Sequence, residues 1–165
     1  MKTTTSNITT QTPTATFMAG AAGAGKGYVR SNDETLKSLP VVDADQFKAA
    51  HPDYDPKNPG ALHVWSSNMA NRAFFKALGE GQSFIYDGTG TKAAKYVKMI
   101  SEARSAGFAI EVVYVKVSLE TSLERNAKRE RNVPVDVVHE QHELIGTSMI
   151  IIAEHADTFR VIRND

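Results

Sequence analysis

Apolar positions fall into short runs separated by longer stretches of helical period. ATFMAG (15–20) is an apolar run closed by glycine, the pattern of a buried strand. Residues 26–38 predict a short helix stopped by Pro40, and VVDAD (41–45) a second strand with its acids at the C-terminal end. HPDYDPKNPG (51–60) holds three prolines and a glycine and predicts a loop. Residues 61–79 predict a helix ending at GEG, and SFIYDGTG (83–90) a strand running into a glycine turn. A helix over 91–106 stops at Gly107, and AIEVVYVKV (109–117) is the strongest strand of the chain. Helical stretches over 119–131 and 134–155 part near Pro134, and FRVI (159–162) is a last short strand. Residues 1–13 contain six threonines and little to bury, so they predict a flexible tail ahead of one domain over 14–165. Alternating strands and helices imply an α/β three-layer sandwich with a parallel sheet of about five strands. Ligands of such sheets sit at the carboxyl ends of the strands.

The 165 residues fit a single domain, and 41% hydrophobic content is enough for a core. Nineteen basic and nineteen acidic side chains cancel, which argues against a strongly basic, nonspecific nucleic-acid binder. The absence of cysteine excludes disulfides, Cys-ligated metals and thiol nucleophiles. No apolar run approaches the roughly 18 residues of a membrane span, and no apolar leader opens the chain, so a cytoplasmic protein without a membrane partner is expected.

Gly20–Lys26 reads GAAGAGK, a GxxxxGK loop between a predicted strand and a predicted helix. That is the context of a P-loop, in which small residues let inward N–H groups cradle phosphates. Ala22, Gly23, Ala24, Gly25, Lys26, Gly27 and Tyr28 are the expected nucleotide contacts, with Lys26 balancing charge on the β- and γ-phosphates of ATP. The Ser or Thr that usually follows the lysine, and ligates Mg2+, is here Gly27. Either water and carboxylates hold the metal, or a hydroxyl of Tyr28 or Ser31 compensates, or binding is weaker.

Asp43 and Asp45 alternate along the predicted strand and would share a face. Asp45 is assigned as the base that orients an acceptor hydroxyl, and Asp43 as the magnesium-side acid, with the reverse assignment open. An N-cap role for Asp45 is the structural alternative. Asp87 ends the FIYD run, where it would hold magnesium, touch substrate or cap the turn containing Thr89. Arg125, Lys128 and Arg129 are spaced i, i+3, i+4, with Arg131 in the same basic patch. They suit a lid helix closing over ATP, with Arg125 and Arg129 the candidates for the transferring phosphate. His63 and Ser67 belong to a polar cluster that could line an acceptor pocket. The five histidines form no ligand set, and Trp65, Phe74 and Phe75 read as core.

GAAGAGK (20–26), VDADQFKAAHPDY (42–54) and YDGTG (86–90), followed by the arginine stretch, resemble the zeta-toxin-like branch of P-loop kinases over roughly residues 15–135. The resemblance implies a P-loop kinase fold with a helical lid. It also implies phosphorylation of a hydroxyl by ATP, with Lys26, Asp45 as base, and Arg125 or Arg129 from the lid. The toxins phosphorylate nucleotide-activated amino sugars such as UDP-N-acetylglucosamine, and an antitoxin partner is conceivable but not indicated. The GKGYV loop and the RN..R.R.VP lid also resemble small bacteriophage kinases, some of which phosphorylate 5-hydroxymethyluracil in DNA. A phage-type nucleotide or nucleic-acid acceptor, acting in a host cytoplasm, is therefore ranked ahead of the nucleotide sugar. A nucleotide-binding module without transfer activity is the competing class, motivated by Gly27.

Overall fold

The computed structural model describes residues 11–58 and 60–165. Elements follow in the order β1 (Thr14–Ala19), α1 (Lys26–Asn32), β2 (Val41–Asp43), α2 (Ala44–Ala50), α3 (His63–Glu80), β3 (Phe84–Asp87), α4 (Ala93–Ser105), β4 (Ala109–Lys116), α5 (Leu119–Ala127), α6 (Val135–Ala153) and β5 (Thr158–Arg163). The strands form one sheet in the order β2-β3-β1-β4-β5, and every neighbouring pair is parallel. This is the expected α/β architecture with a five-strand parallel sheet. The predicted tail lies largely in residues 1–10, outside the described residues.

Strand alternation splits the core in two. Phe17, Tyr86 and Val112 pack on one face with Phe74 of α3, Tyr96 and Ile100 of α4, and Ile145 and Ile152 of α6. Met18, Ile85 and Val113 point to the other face and meet Val29 of α1 and Leu36. β1 lies between β3 and β4 and is almost wholly buried, which explains its near-continuous apolar run. The buried Tyr96 hydroxyl donates to the Met18 carbonyl at 2.7 Å, tying α4 to the end of β1.

The structure corrects five local expectations. The first helix ends at Asn32, and turns occupy 34–38. The second strand ends at Asp43, so Asp43 and Asp45 do not share a strand face. Asp43 is the N-cap of α2: its Oδ1 accepts from the Asp45 N–H at 2.8 Å, so Asp45 lies in the first turn and is not itself the cap. The arginine helix ends at Ala127, which puts Arg129 and Arg131 in the connection to α6 rather than on one helical face with Arg125. Asn126, 3% exposed, shapes that connection through its side chain: Nδ2 donates to the Val133 carbonyl at 2.7 Å, and Oδ1 accepts the Val133 N–H at 3.0 Å. Of the aromatic residues expected in the core, only Phe74 is buried; Trp65 and Phe75 are 38% and 47% exposed.

Beyond α1, Asp33 accepts from the Thr35 hydroxyl at 2.6 Å and from the Arg160 guanidinium of β5 at 2.9 Å. The Thr35 hydroxyl, outweighing partial burial, and then Arg160 hold the Asp33 carboxyl down at about 2. A folded value below the unfolded one stabilises above the unfolded value, near 4, and that stabilisation is lost as pH falls toward the folded value. Asp33→Asn is therefore expected to cost about 1–2 kcal/mol at neutral pH, a gap that closes as pH is lowered from about 5 to about 2. Urea unfolding of both proteins across that range checks this; a gap independent of pH would contradict it.

Candidate functional site

The carboxyl ends of β1, β2 and β3 open into a cleft of ≈ 400 Å³. Its floor is the loop over 20–26. Gly23 has φ 77, and a Cβ there would meet the Ser122 carbonyl oxygen at 2.8 Å, so both conformation and space require glycine. Three side chains from distant elements bond the loop's carbonyls. The Ser122 hydroxyl of α5 donates to the Ala22 carbonyl. Arg125 Nη1 donates to the Gly23 carbonyl at 3.3 Å, and Asn164 Nδ2, just past β5, to the Ala24 carbonyl at 2.8 Å. With its carbonyls held outward, the loop can present N–H groups to an anion. The Gly20 N–H is bound by the Thr89 carbonyl at 3.0 Å, joining the loop to the turn after β3. Gly90 there has φ 74, and a Cβ would meet Ala19 Cβ at 2.7 Å.

Lys26, Asp43, Asp45, Asp87, Thr89, Arg125 and Arg129 all line this cleft, as do Ala22 through Gly27, so the sequence-predicted residues converge on it. Lys26 Nζ donates to the Gly20 carbonyl at 3.0 Å and stands 3.9 Å from Asp87. Asp87 is paired with Arg30 at 2.6 Å, and Asp45 with Arg131 at 2.6 Å. Asp43 and Asp87 are register neighbours on β2 and β3. Burial, and then repulsion from Asp87, push the Asp43 carboxyl up to about 6.

Other candidates sit elsewhere. Tyr28 is 67% exposed and lines a separate recess with Gly25, Arg125 and Asn164. The Ser31 hydroxyl donates back to the Gly27 carbonyl of its own helix at 2.9 Å. Neither stands in the main cleft as a substitute for the missing Ser/Thr. His63 lines a larger pocket beside the cleft, of ≈ 1030 Å³, together with Lys48, Lys57, Asp45 and Arg131. Burial lowers the pKa of Lys48, against the opposing pull of Asp45. Ser67 lines none of these three cavities. Sequence reasoning missed Arg30, Lys48, Ser122, Gln141 and Asn164 as parts of the site. Only Arg30 carried a local signal, one helical turn beyond Lys26.

All 165 positions, residues 1–165, match the family described as Zeta toxin. The zeta toxin of Streptococcus pyogenes is 25% identical over 116 residues, which make up 65% of this chain and 40% of the toxin, so the chain spans well under half of that relative. Among solved structures, that of the PezAT chromosomal toxin-antitoxin system of Streptococcus pneumoniae has TM-score 0.76 at 15% identity, over 93% of this chain and 68% of that one. Shikimate kinase from Acinetobacter baumannii has TM-score 0.59 at 17% identity, over 93% and 85%. The fold is thus that of P-loop kinases. Among the described residues no helix is long and apolar enough to cross a membrane.

If the tied carbonyls set the loop, Asn164→Ala is expected to weaken ADP binding about tenfold, the scale of one such bond, while the protein stays folded. Titration calorimetry measures this, and unchanged affinity would show that the loop holds its shape without Asn164.

Proposed function

The chain belongs to the zeta toxin family, and on that footing we propose that it is an ATP-dependent phosphotransferase acting on a hydroxyl of a nucleotide-activated amino sugar, of the UDP-N-acetylglucosamine class. The observation that carries the reading is the cleft itself: a P-loop with its carbonyls tied outward meets Asp45 and two lid arginines around one cavity. The likeness to toxins favours the nucleotide-sugar acceptor over the phage-type nucleic-acid acceptor expected from the lid sequence. The larger pocket beside the cleft suits such an acceptor, with Lys48 and Lys57 for anionic groups and Val133, Pro134 and Val135 as an apolar wall. A protein antitoxin is the partner class this reading brings to the chain.

Lys26 and the loop N–H groups bind the β- and γ-phosphates. The recess lined by Tyr28, Arg125 and Asn164 takes the nucleoside end. Asp45 accepts the proton of the acceptor hydroxyl as its oxygen bonds to the γ-phosphorus; the bond to the bridging oxygen breaks, and ADP leaves. For this the Asp45–Arg131 pair must open, which frees the guanidinium to join Arg129 on the phosphoryl oxygens.

A divalent cation fits the acids of the cleft. Asp43 and Asp87 are adjacent, and burial together with the facing Asp87 raises the Asp43 carboxyl, so a cation between the two would offset their repulsion. Among the described residues no three or more His, Asp or Glu side chains are placed to hold a metal ion by themselves, so phosphate oxygens and water would complete the shell. Magnesium bound there would neutralise phosphate charge, held by Asp43 and Asp87. A Cβ at Gly27 meets nothing within 4 Å, so the loop has room for the missing hydroxyl.

Transfer of labelled γ-phosphate from ATP to a panel of nucleotide sugars, nucleotides and DNA tests the reading. Label on none of them, with ATP still bound, would return the chain to a binding module. Asp45→Asn is expected to keep ATP affinity and lower turnover roughly 100-fold, the scale of a lost general base. A variant with near-wild-type turnover would remove Asp45 from that role. Gly27→Ser is expected to fold normally and to lower the magnesium concentration giving half-maximal turnover. An unchanged magnesium titration would place the metal away from the end of the P-loop.

A further inference from the structure

Helix α6 carries a stripe of buried residues, Val138, Ile145, Met149 and Ile152, the last three packed in the core on one face of the sheet. Gln141 interrupts this stripe, at i+3 from Val138 and i−4 from Ile145, where the helix passes the cleft. Its side chain lines both the phosphate cleft and the larger pocket beside it. Gln141 Oε1 accepts the backbone N–H of Ala22 at 2.8 Å. The same residue's carbonyl is held by Ser122, so Ala22 is clamped on both sides.

The partner fixes the direction of the amide. A backbone N–H can only donate, so the Gln141 atom facing it is oxygen, and the NH2 group is turned away from Ala22. Ala22 lies before the Gly23–Lys26 segment that closes the loop onto α1, in the cleft that Asp45 and Gln141 also line. We propose that Gln141 adds a γ-phosphate contact that helps this site distinguish ATP from ADP: Oε1 stays on the Ala22 N–H, and Nε2 donates to an oxygen of the γ-phosphoryl group. The proposal rests on the phosphotransferase reading and adds to it a contact from an element with no P-loop or lid motif.

Two features make this more than a structural bridge. First, α6 begins directly after the connection that carries Arg129 and Arg131, with Gln141 in its second turn, so lid position and γ-phosphate contact are mechanically joined. Second, α6 also touches the turn after β3, where the Ser148 hydroxyl donates to the Gly90 carbonyl. The helix therefore spans both loops that frame the transferring group. A contact that exists only while the third phosphate is present would hold the lid over ATP and release it over ADP.

The test compares the full-length wild type with Gln141→Glu and Gln141→Leu, reading ATP and ADP affinities by calorimetry and folding by thermal melt. Gln141→Glu keeps an acceptor for the Ala22 N–H and puts an anionic oxygen where the NH2 stood. It is expected to weaken ATP about tenfold or more and leave ADP within about twofold. Gln141→Leu removes donor and acceptor together and is expected to narrow the ATP-to-ADP preference in the same direction, by about fivefold. Equal weakening of both nucleotides would make Gln141 a structural clamp and overturn the proposal. Tighter ATP binding in the leucine variant would make the amide a plug that nucleotide displaces, and would also overturn it. A wild type that binds neither nucleotide would overturn the phosphotransferase reading itself, and this proposal with it; a wild type that binds both, with unshifted variants, would overturn the proposal alone.

Discussion

A P-loop works because successive N–H groups face one point, and that arrangement sends the matching carbonyls outward, where each needs a donor. Here the donors are Ser122, Arg125 and Asn164, which lie 100, 102 and 140 positions from the carbonyls they bind. Arg125 also donates to the Asn164 carbonyl at 2.7 Å, so α5 and the segment after β5 form one brace. The cradle is therefore not a local property of GAAGAGK. It depends on β4 having paired with both β1 and β5, because only then are α5 and Asn164 beside the loop. The anion site therefore takes its shape from the assembled sheet and not from the loop alone.

The same brace settles where charge resides in the cleft. Arg125 is committed to loop and chain carbonyls, which leaves Arg30 and Arg131 to meet the acids. Arg30 takes Asp87, and Arg131 takes Asp45. Among the described residues Asp43 has no such partner at salt-bridge distance; its Oδ1 caps α2, and burial carries its carboxyl up to about 6. Three carboxylates of similar chemistry are thus sorted by surroundings into one paired from α1, one paired from the lid connection, and one partly buried as a helix cap.

What could be read from the sequence followed from how local each signal is. The P-loop, the strand ends and the order of elements follow from runs of four to eight residues, and the fold depends on those runs. Asp45 was misplaced because β2 has only three residues, too few for alternation to show where strand yields to helix. The arginine helix read too long because its charged periodicity continues past Ala127, while the feature that ends it is a buried side chain, Asn126, bonding seven residues ahead. Ser122, Gln141 and Asn164 left no trace, since each is a single polar residue whose partner lies more than 90 positions away. Tyr28 and Ser31 satisfied the chemistry on paper, but helix α1 turns them outward or back onto its own backbone.

The pairing of Asp45 with Arg131 gives this cleft an order of events. On the phosphotransferase reading, a guanidinium facing a lone carboxylate exchanges it for a triphosphate, which offers more charge and several acceptor oxygens in bidentate reach. The exchange moves positive charge toward the phosphoryl oxygens and leaves Asp45 open to the acceptor in a single displacement. Before nucleotide arrives, one oxygen of Asp45 is engaged by Arg131, which competes with a hydroxyl for it. Once it has arrived, the acceptor must still fill the neighbouring pocket, whose wall Arg131 also forms. The connection that makes this displacement is short, and Asn126 fixes its far end to Val133, so Arg131 can move only by swinging its own side chain or by carrying α6 with it. Motion of the second kind would reach Ala22 through α6 and so couple the acceptor side of the cleft to the loop that holds the phosphates.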